Sequence, residues 1–224
     1  MDVKDCWYRE VCPKCPDECG PTCLRYIEML HLVQNSNIPE SKWKPLKLRP
    51  GIDRPAFLEL QNIKNDIKSW VKNGNNLYIY SDNCGNGKTS WSIKLMLAYF
   101  NEVWAGNGFR RRGMFFSVPE FLDRSRELMN DRDEEFVKLR QDIINCDLII
   151  WDDITSTRLT DFNHSILFNF IDARMLANKA NIFTGNVDYE GLVKNLGGRL
   201  SSRVWNNSKV IEFTDQDKRG VYNG

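Results

Sequence analysis

The sequence predicts an α/β protein: a parallel sheet flanked by helices, with a small cysteine-rich module at the amino terminus. Three observations carry this expectation. Short apolar runs alternate with helical-period stretches from about residue 55 onward, a glycine-containing turn sits between one such run and the helix after it, and five of the seven cysteines fall in the first 23 residues. Strands that alternate with helices bury both faces of a parallel sheet.

The 224 residues are enough for one main domain with a large core and a small appendage. With 42% hydrophobic and 27% charged residues, 14 Gly and 8 Pro, the composition excludes a disordered or fibrous chain. The 31 Lys and Arg against 30 Asp and Glu leave a formal charge of +1, so contact with nucleic acid must come from a local patch. No stretch has the roughly 18 consecutive apolar residues of a membrane span, and Met-Asp-Val-Lys-Asp-Cys lacks the apolar core of a signal peptide. The expectation is a cytoplasmic protein with no membrane partner.

Residues 1–34 hold Cys6, Cys12, Cys15, Cys19 and Cys23, then a short helix whose Leu24, Ile27, Leu30 and Leu32 or Val33 fall near helical spacing. A reducing compartment disfavours disulfides, so a metal explains the cluster better. Cys12-x₂-Cys15 is the hairpin-like pair of a tetrahedral Zn²⁺ site, with two more thiolates from Cys6, Cys19 and Cys23; five candidates compete for four places. An iron–sulfur cluster is the rival ligand and unliganded thiols the plain alternative. Residues 35–54, with Pro39, Pro45 and Pro50 and no period, read as a linker, which makes 55–224 the main domain.

Phe57, Leu58, Leu60, Ile63, Ile67, Trp70 and Val71 predict one amphipathic helix stopped at Gly74. Leu77-Tyr78-Ile79-Tyr80 is a strand, and Lys88 to about Val103 a helix. Met114 to Val118 is the next strand. Ser117 and Glu120 have the capping-box spacing with Pro119 in the first turn, so a helix runs to about Met129. Leu148-Ile149-Ile150-Trp151 is a third strand, Phe162–Leu176 a helix, and Ile182-Phe183-Thr184 a fourth strand.

Between the first of these strands and its helix lies Asp82-Asn83-Cys84-Gly85-Asn86-Gly87-Lys88-Thr89-Ser90, a phosphate-binding loop with Asp82 where the first glycine belongs. Gly85 and Gly87 let the backbone curl so that N–H groups from Cys84 to Ser90 face a phosphate. Lys88 reaches the β- and γ-phosphates, and Thr89 offers its hydroxyl to Mg²⁺. Asp152 and Asp153 end an apolar strand some sixty residues downstream. Successive strand side chains point to opposite sides, so Asp152 can join the Mg²⁺ shell while Asp153 turns toward the attacking water. Taken alone, an acidic pair ending a strand is more often a solvated turn; its place after a phosphate loop favours the functional reading. Asn186, just past a strand end, can orient that water or be an ordinary Gly-Asn turn. Arg199 and Arg203 lie four apart on one helix face, the spacing of any surface arginine pair as well.

Gly-Asn-Gly-Lys-Thr, Ile-Ile-Trp-Asp-Asp, Thr-Gly-Asn and Leu-Gly-Gly-Arg-Leu-Ser-Ser-Arg, in this order and spacing, resemble the AAA+ ATPases of the bacterial replicative-helicase loaders of DnaC/DnaI type and the related IstB transposition helpers. The resemblance covers roughly residues 50–224. It implies an ATPase with ATP and Mg²⁺ held by Lys88, Thr89 and Asp152, and with Asp153 and Asn186 at the hydrolytic water. It makes Arg203 an arginine finger completing a neighbour's site, and Arg219, six residues after Phe213, a second nucleotide-sensing arginine. It implies a homo-oligomeric ring or spiral around single-stranded DNA and a replicative helicase gripped by the zinc module. Arg110, Arg111, Arg112, Lys138 and Arg140 are candidates for DNA phosphates, or a solvated face. The rival functions are an IstB-like helper and a zinc adaptor that binds nucleotide but scarcely hydrolyses it.

Overall fold

Five strands pair into one parallel sheet in the order β2-β3-β4-β1-β5. The computed structural model describes residues 23–43, 51–106, 110–130, 134–156 and 159–214. The strands are β1 (Asn76–Tyr80), β2 (Gly113–Ser117), β3 (Leu148–Asp152), β4 (Ala180–Gly185) and β5 (Ser208–Glu212). The helices are α1 (Leu24–Gln34), α2 (Arg54–Asn65), α3 (Ile67–Lys72), α4 (Lys88–Val103), α5 (Val118–Asn130), α6 (Glu134–Asn145), α7 (Asp161–Leu176) and α8 (Tyr189–Asn206).

Strand alternation divides the core into two layers. Leu77, Ile79, Phe115, Leu148, Ile150 and Ile182 face α1–α4. Tyr78, Phe116, Ile149, Trp151 and Phe183 face α5–α8. Both faces are covered, which is why these strands read as continuous apolar runs. Thr160 caps α7 by accepting from the Asn163 N–H.

The helix expected to run unbroken to Gly74 divides at Asp66, whose φ of −115° and ψ of 27° leave the helical region. The break re-aims the chain so that Ile63, Ile67 and Val71 all reach the core. Gly74 does end α3, at a φ of 66° that favours glycine. The sequence reading missed α6 and β5. Ile143 is the buried residue of α6, and Ile211 that of β5, an edge strand whose two apolar residues, Val210 and Ile211, are adjacent and give no alternation to detect.

Packing does not break at residues 34 and 54, where the sequence suggests boundaries. Met29, Leu32 and Val33 of α1 share a core with α4, and the next turn buries Ser36 and Ile38. The Ser36 carbonyl accepts the Phe115 N–H at 2.6 Å, occupying a backbone donor of edge strand β2. Asp53 ties its segment to the end of β5, accepting from the Thr214 N–H at 2.7 Å and the Thr214 hydroxyl at 2.9 Å. Among the described residues no helix is long and apolar enough to cross a membrane.

Candidate functional site

Because β4 lies between β1 and β3, the segments leaving these three strands meet at one edge of the sheet. This edge, outside the carboxyl ends of the strands, is where parallel sheets collect ligands.

The loop after β1 curls through Gly85 (φ 73°) and Gly87 (φ 100°), both in the left-handed region, and enters α4 at Lys88. Asp82 is exposed and does not have a positive φ, so its side chain stands clear of the turn. Asn86 is buried and donates to the Ser81 hydroxyl oxygen, which also accepts the Asn83 N–H at 3.1 Å. Cys84 is an exposed free thiol on this loop. Lys88 is buried, and its Nζ lies 2.8 Å from the Asn83 carbonyl and 3.4 Å from both the Ser81 carbonyl and Asn86 Oδ1. A buried ammonium on these neutral oxygens is poised to exchange them for charged ones, which hold a cation more strongly. Thr89 and Ser90 follow in the first turn of α4.

The Thr89 hydroxyl donates to Asp152, 2.8 and 3.1 Å from its two carboxylate oxygens. The Thr184 hydroxyl donates to the same carboxylate at 2.7 Å and accepts the Asp153 N–H at 2.8 Å. Burial pushes the Asp152 carboxyl above the ordinary carboxylate range. The hydrogen bonds from Thr184 and Thr89 and the positive charge of Lys42 oppose that shift. Among the described residues Asp152 forms no ion pair. A half-buried carboxylate beside a threonine hydroxyl, with no paired cation among the described residues, is a donor set that fits Mg²⁺. Asp153 has φ 60°, unusual for a non-glycine residue, and its Oδ1 accepts from Asn186 Nδ2 at 3.2 Å. The Asn186 N–H in turn donates to the Thr155 hydroxyl oxygen at 2.9 Å.

Lys88, Thr89, Asp152, Asp153 and Asn186 therefore come together, drawn from three strands. Arg203 lies elsewhere: its Nε donates to Asp172 Oδ1 on α7 at 2.7 Å. Arg219 is outside the described residues, as are Cys6, Cys12, Cys15 and Cys19. Cys23 is a half-buried free thiol just before α1. Among the described residues no cluster of His, Cys, Asp and Glu could hold a metal ion. Arg111 pairs with Asp142 at 2.8 Å, and Arg110 and Arg112 pair with Asp147 at 3.9 and 2.9 Å, so acidic partners offset that run of charge. Lys138 and Arg140 are exposed on α6. Sequence reasoning missed Thr184 and Lys42. Thr184 lies two residues before Asn186 and was legible only as part of an apolar strand.

Among solved structures, the chain is similar to the DnaC helicase loader, with a TM-score of 0.68, 19% identity, and coverage of 79% of this chain and 100% of that one. It is also similar to DnaI, with a TM-score of 0.60, 20% identity, and coverage of 80% and 96%. The fold is that of these DnaC and DnaI structures. The chain is also similar to AMPPCP-bound DnaA from Aquifex aeolicus, with a TM-score of 0.55, 20% identity and 84% of this chain, although the chain spans only 52% of that structure. No protein-family model and no curated protein matches the chain.

Proposed function

We propose that this protein is a cytoplasmic ATPase that loads a ring-shaped replicative DNA helicase onto single-stranded DNA, working as a homo-oligomer. One observation carries the reading: Thr89 of the phosphate loop is hydrogen-bonded to Asp152, while the adjacent Asp153 holds Asn186. That arrangement supports reading this sheet edge as a nucleotide grip beside a water-handling pair. The likeness to the DnaC and DnaI structures supports the choice of partner.

In this mechanism the loop N–H groups and Lys88 bind the β- and γ-phosphates of ATP. Thr89 and Asp152 hold Mg²⁺, which when bound draws negative charge off the phosphate oxygens. Asn186 orients water and Asp153 accepts its proton. Arg203 of one copy reaches the γ-phosphate in the next, which makes assembly a condition of turnover. The N-terminal module grips the helicase, with four of Cys6, Cys12, Cys15, Cys19 and Cys23 holding Zn²⁺. The helix α1 packs against α4, with Arg25 donating to Asn101 in the last turn of α4, so α4 links that module to the phosphate loop at its opposite end.

ATP turnover with and without single-stranded DNA, for wild type and Lys88→Ala, tests the enzymatic part, and co-purification with a replicative helicase tests the loading part. Wild type should turn over ATP at least tenfold faster than Lys88→Ala when DNA is present, roughly the effect of one lost phosphate contact. Equal rates would refute hydrolysis, and no helicase in the eluate would refute loading.

A further inference from the structure

The two arginines four apart on α8 face a matching pair on α7. The Arg199 guanidinium lies 4.9 Å from the centroid of the Phe168 ring, and Arg203 Nε lies 2.7 Å from Asp172 Oδ1. Phe168 and Asp172 are themselves four apart, so two helical faces meet in register. Gly197, at φ 71° and ψ 160°, kinks α8 and sets the direction of the half that carries both arginines. A Cβ there would meet nothing nearer than His164 Nε2 at 3.7 Å, so the backbone angle rather than space accounts for glycine.

The manner of the Asp172 contact is informative. A guanidinium has five N–H donors, and carboxylates frequently take two of them in a fork-to-fork pair that ties up one or both terminal nitrogens. Here the contact is through Nε, the base of the fork. Among the described residues this is the hydrogen bond that Arg203 makes, and the four N–H groups of Nη1 and Nη2 stay uncommitted. The Arg203 side chain is 44% exposed, and that of Asp172 24%. A surface ion pair this exposed contributes little to stability, too little to explain holding a long side chain in one place.

We propose that Asp172 is a positioning residue. It fixes the guanidinium of Arg203 through Nε and so presents the two terminal nitrogens to the triphosphate bound by a second copy of this chain. The inference rests on the reading of Arg203 as an arginine acting between subunits. Restricting the guanidinium before subunits meet lowers the ordering cost of reaching the phosphate.

The test measures steady-state ATP turnover of the full chain, with single-stranded DNA, at a protein concentration where specific activity no longer rises. Arg203→Ala gauges the underlying reading, and Asp172→Ala and Asp172→Asn gauge this inference. Asp172→Ala should lower kcat by about 10- to 100-fold, the range expected for a misplaced catalytic group, with KM for ATP and melting temperature close to wild type. Asp172→Asn, which keeps an Oδ1 acceptor, should recover most of the loss, and Asp172→Ala added to Arg203→Ala should cost nothing further. Mixing separates the roles: Lys88→Ala subunits should restore turnover to Arg203→Ala subunits, and Lys88→Ala/Asp172→Ala subunits should not. Loss of activity in Arg203→Ala with wild-type kcat in Asp172→Ala overturns the positioning role and leaves the subunit-bridging arginine standing. Wild-type turnover in Arg203→Ala overturns both.

Discussion

Thr184→Val isolates the hydroxyl that joins the two acidic residues of the site. Valine keeps the shape of threonine at a position only 2% exposed, so no cavity forms, and the strand carbonyl still accepts the Ile154 N–H. Two interactions disappear: the 2.7 Å bond donated to Asp152 and the 2.8 Å bond accepted from the Asp153 N–H. A hydrogen bond to a charged group contributes about 1.5–3 kcal/mol, and an N–H left without an acceptor costs about 1–3 kcal/mol. Asp153 is only half buried, so water can meet part of the second loss. The expected destabilisation is therefore about 2–4 kcal/mol, which at the usual 2–4 °C per kcal/mol for a chain of this size lowers Tm by about 4–16 °C. Turnover should fall more steeply than stability, because Asp153 at φ 60° depends on its surroundings to stay there. Urea unfolding gives the free energy, and an ATPase assay on the folded fraction gives the rate. Thr184→Ser, which keeps the hydroxyl, should retain most of both. A valine variant within about 0.5 kcal/mol of wild type, or a serine variant as impaired as valine, would refute the bridging role, since exposed and neutral substitutions fall in that range.

Two other substitutions probe different physics. The Asp152 carboxyl titrates above its ordinary 3.8 because burial favours its neutral form. The folded state then binds more protons than the unfolded chain from that ordinary value up to the raised one, so wild-type stability falls as pH rises through this window. Asp152→Asn should melt at or above wild type at pH 8, converge with it as pH falls toward 4, and lose turnover throughout; lower stability than wild type at pH 8, measured by melting against pH, would contradict the burial argument. Arg174 is completely buried and donates to Asn181 Oδ1 at 2.7 Å and to the carbonyls of Ile143, Cys146 and Ala180. Arg174→Leu should cost about 3–5 kcal/mol in urea unfolding, the range for removing one partner from a buried charged network; a loss under 1 kcal/mol would mean that these carbonyls find other donors.

The phosphate loop, the acidic strand end and the Thr-Gly-Asn turn were legible in the sequence because each is a local pattern. Their residues are neighbours in the chain, and strand–turn–helix geometry presents them in one way. The same holds for α4 and α7, each 16 residues long and rich in apolar side chains, whereas the division of α2 from α3 and the edge strand β5 depend on what lies opposite them. The Arg110–Arg112 run illustrates the limit: its charge reads as a DNA-binding candidate until Asp142 and Asp147, more than thirty residues away, meet it in space.

The sequence by itself pointed to four of the five strands, to the helices other than α6, and to the residues proposed for phosphate, metal and proton chemistry, since backbone periodicity and turn sterics act over a few residues. Only the tertiary structure decided that β4 enters between β1 and β3. That places Thr184 between Asp152 and Asp153, and packs α7 so that Asp172 meets Arg203. Those contacts follow from strand order and helix packing across a shared core, which no local spacing encodes.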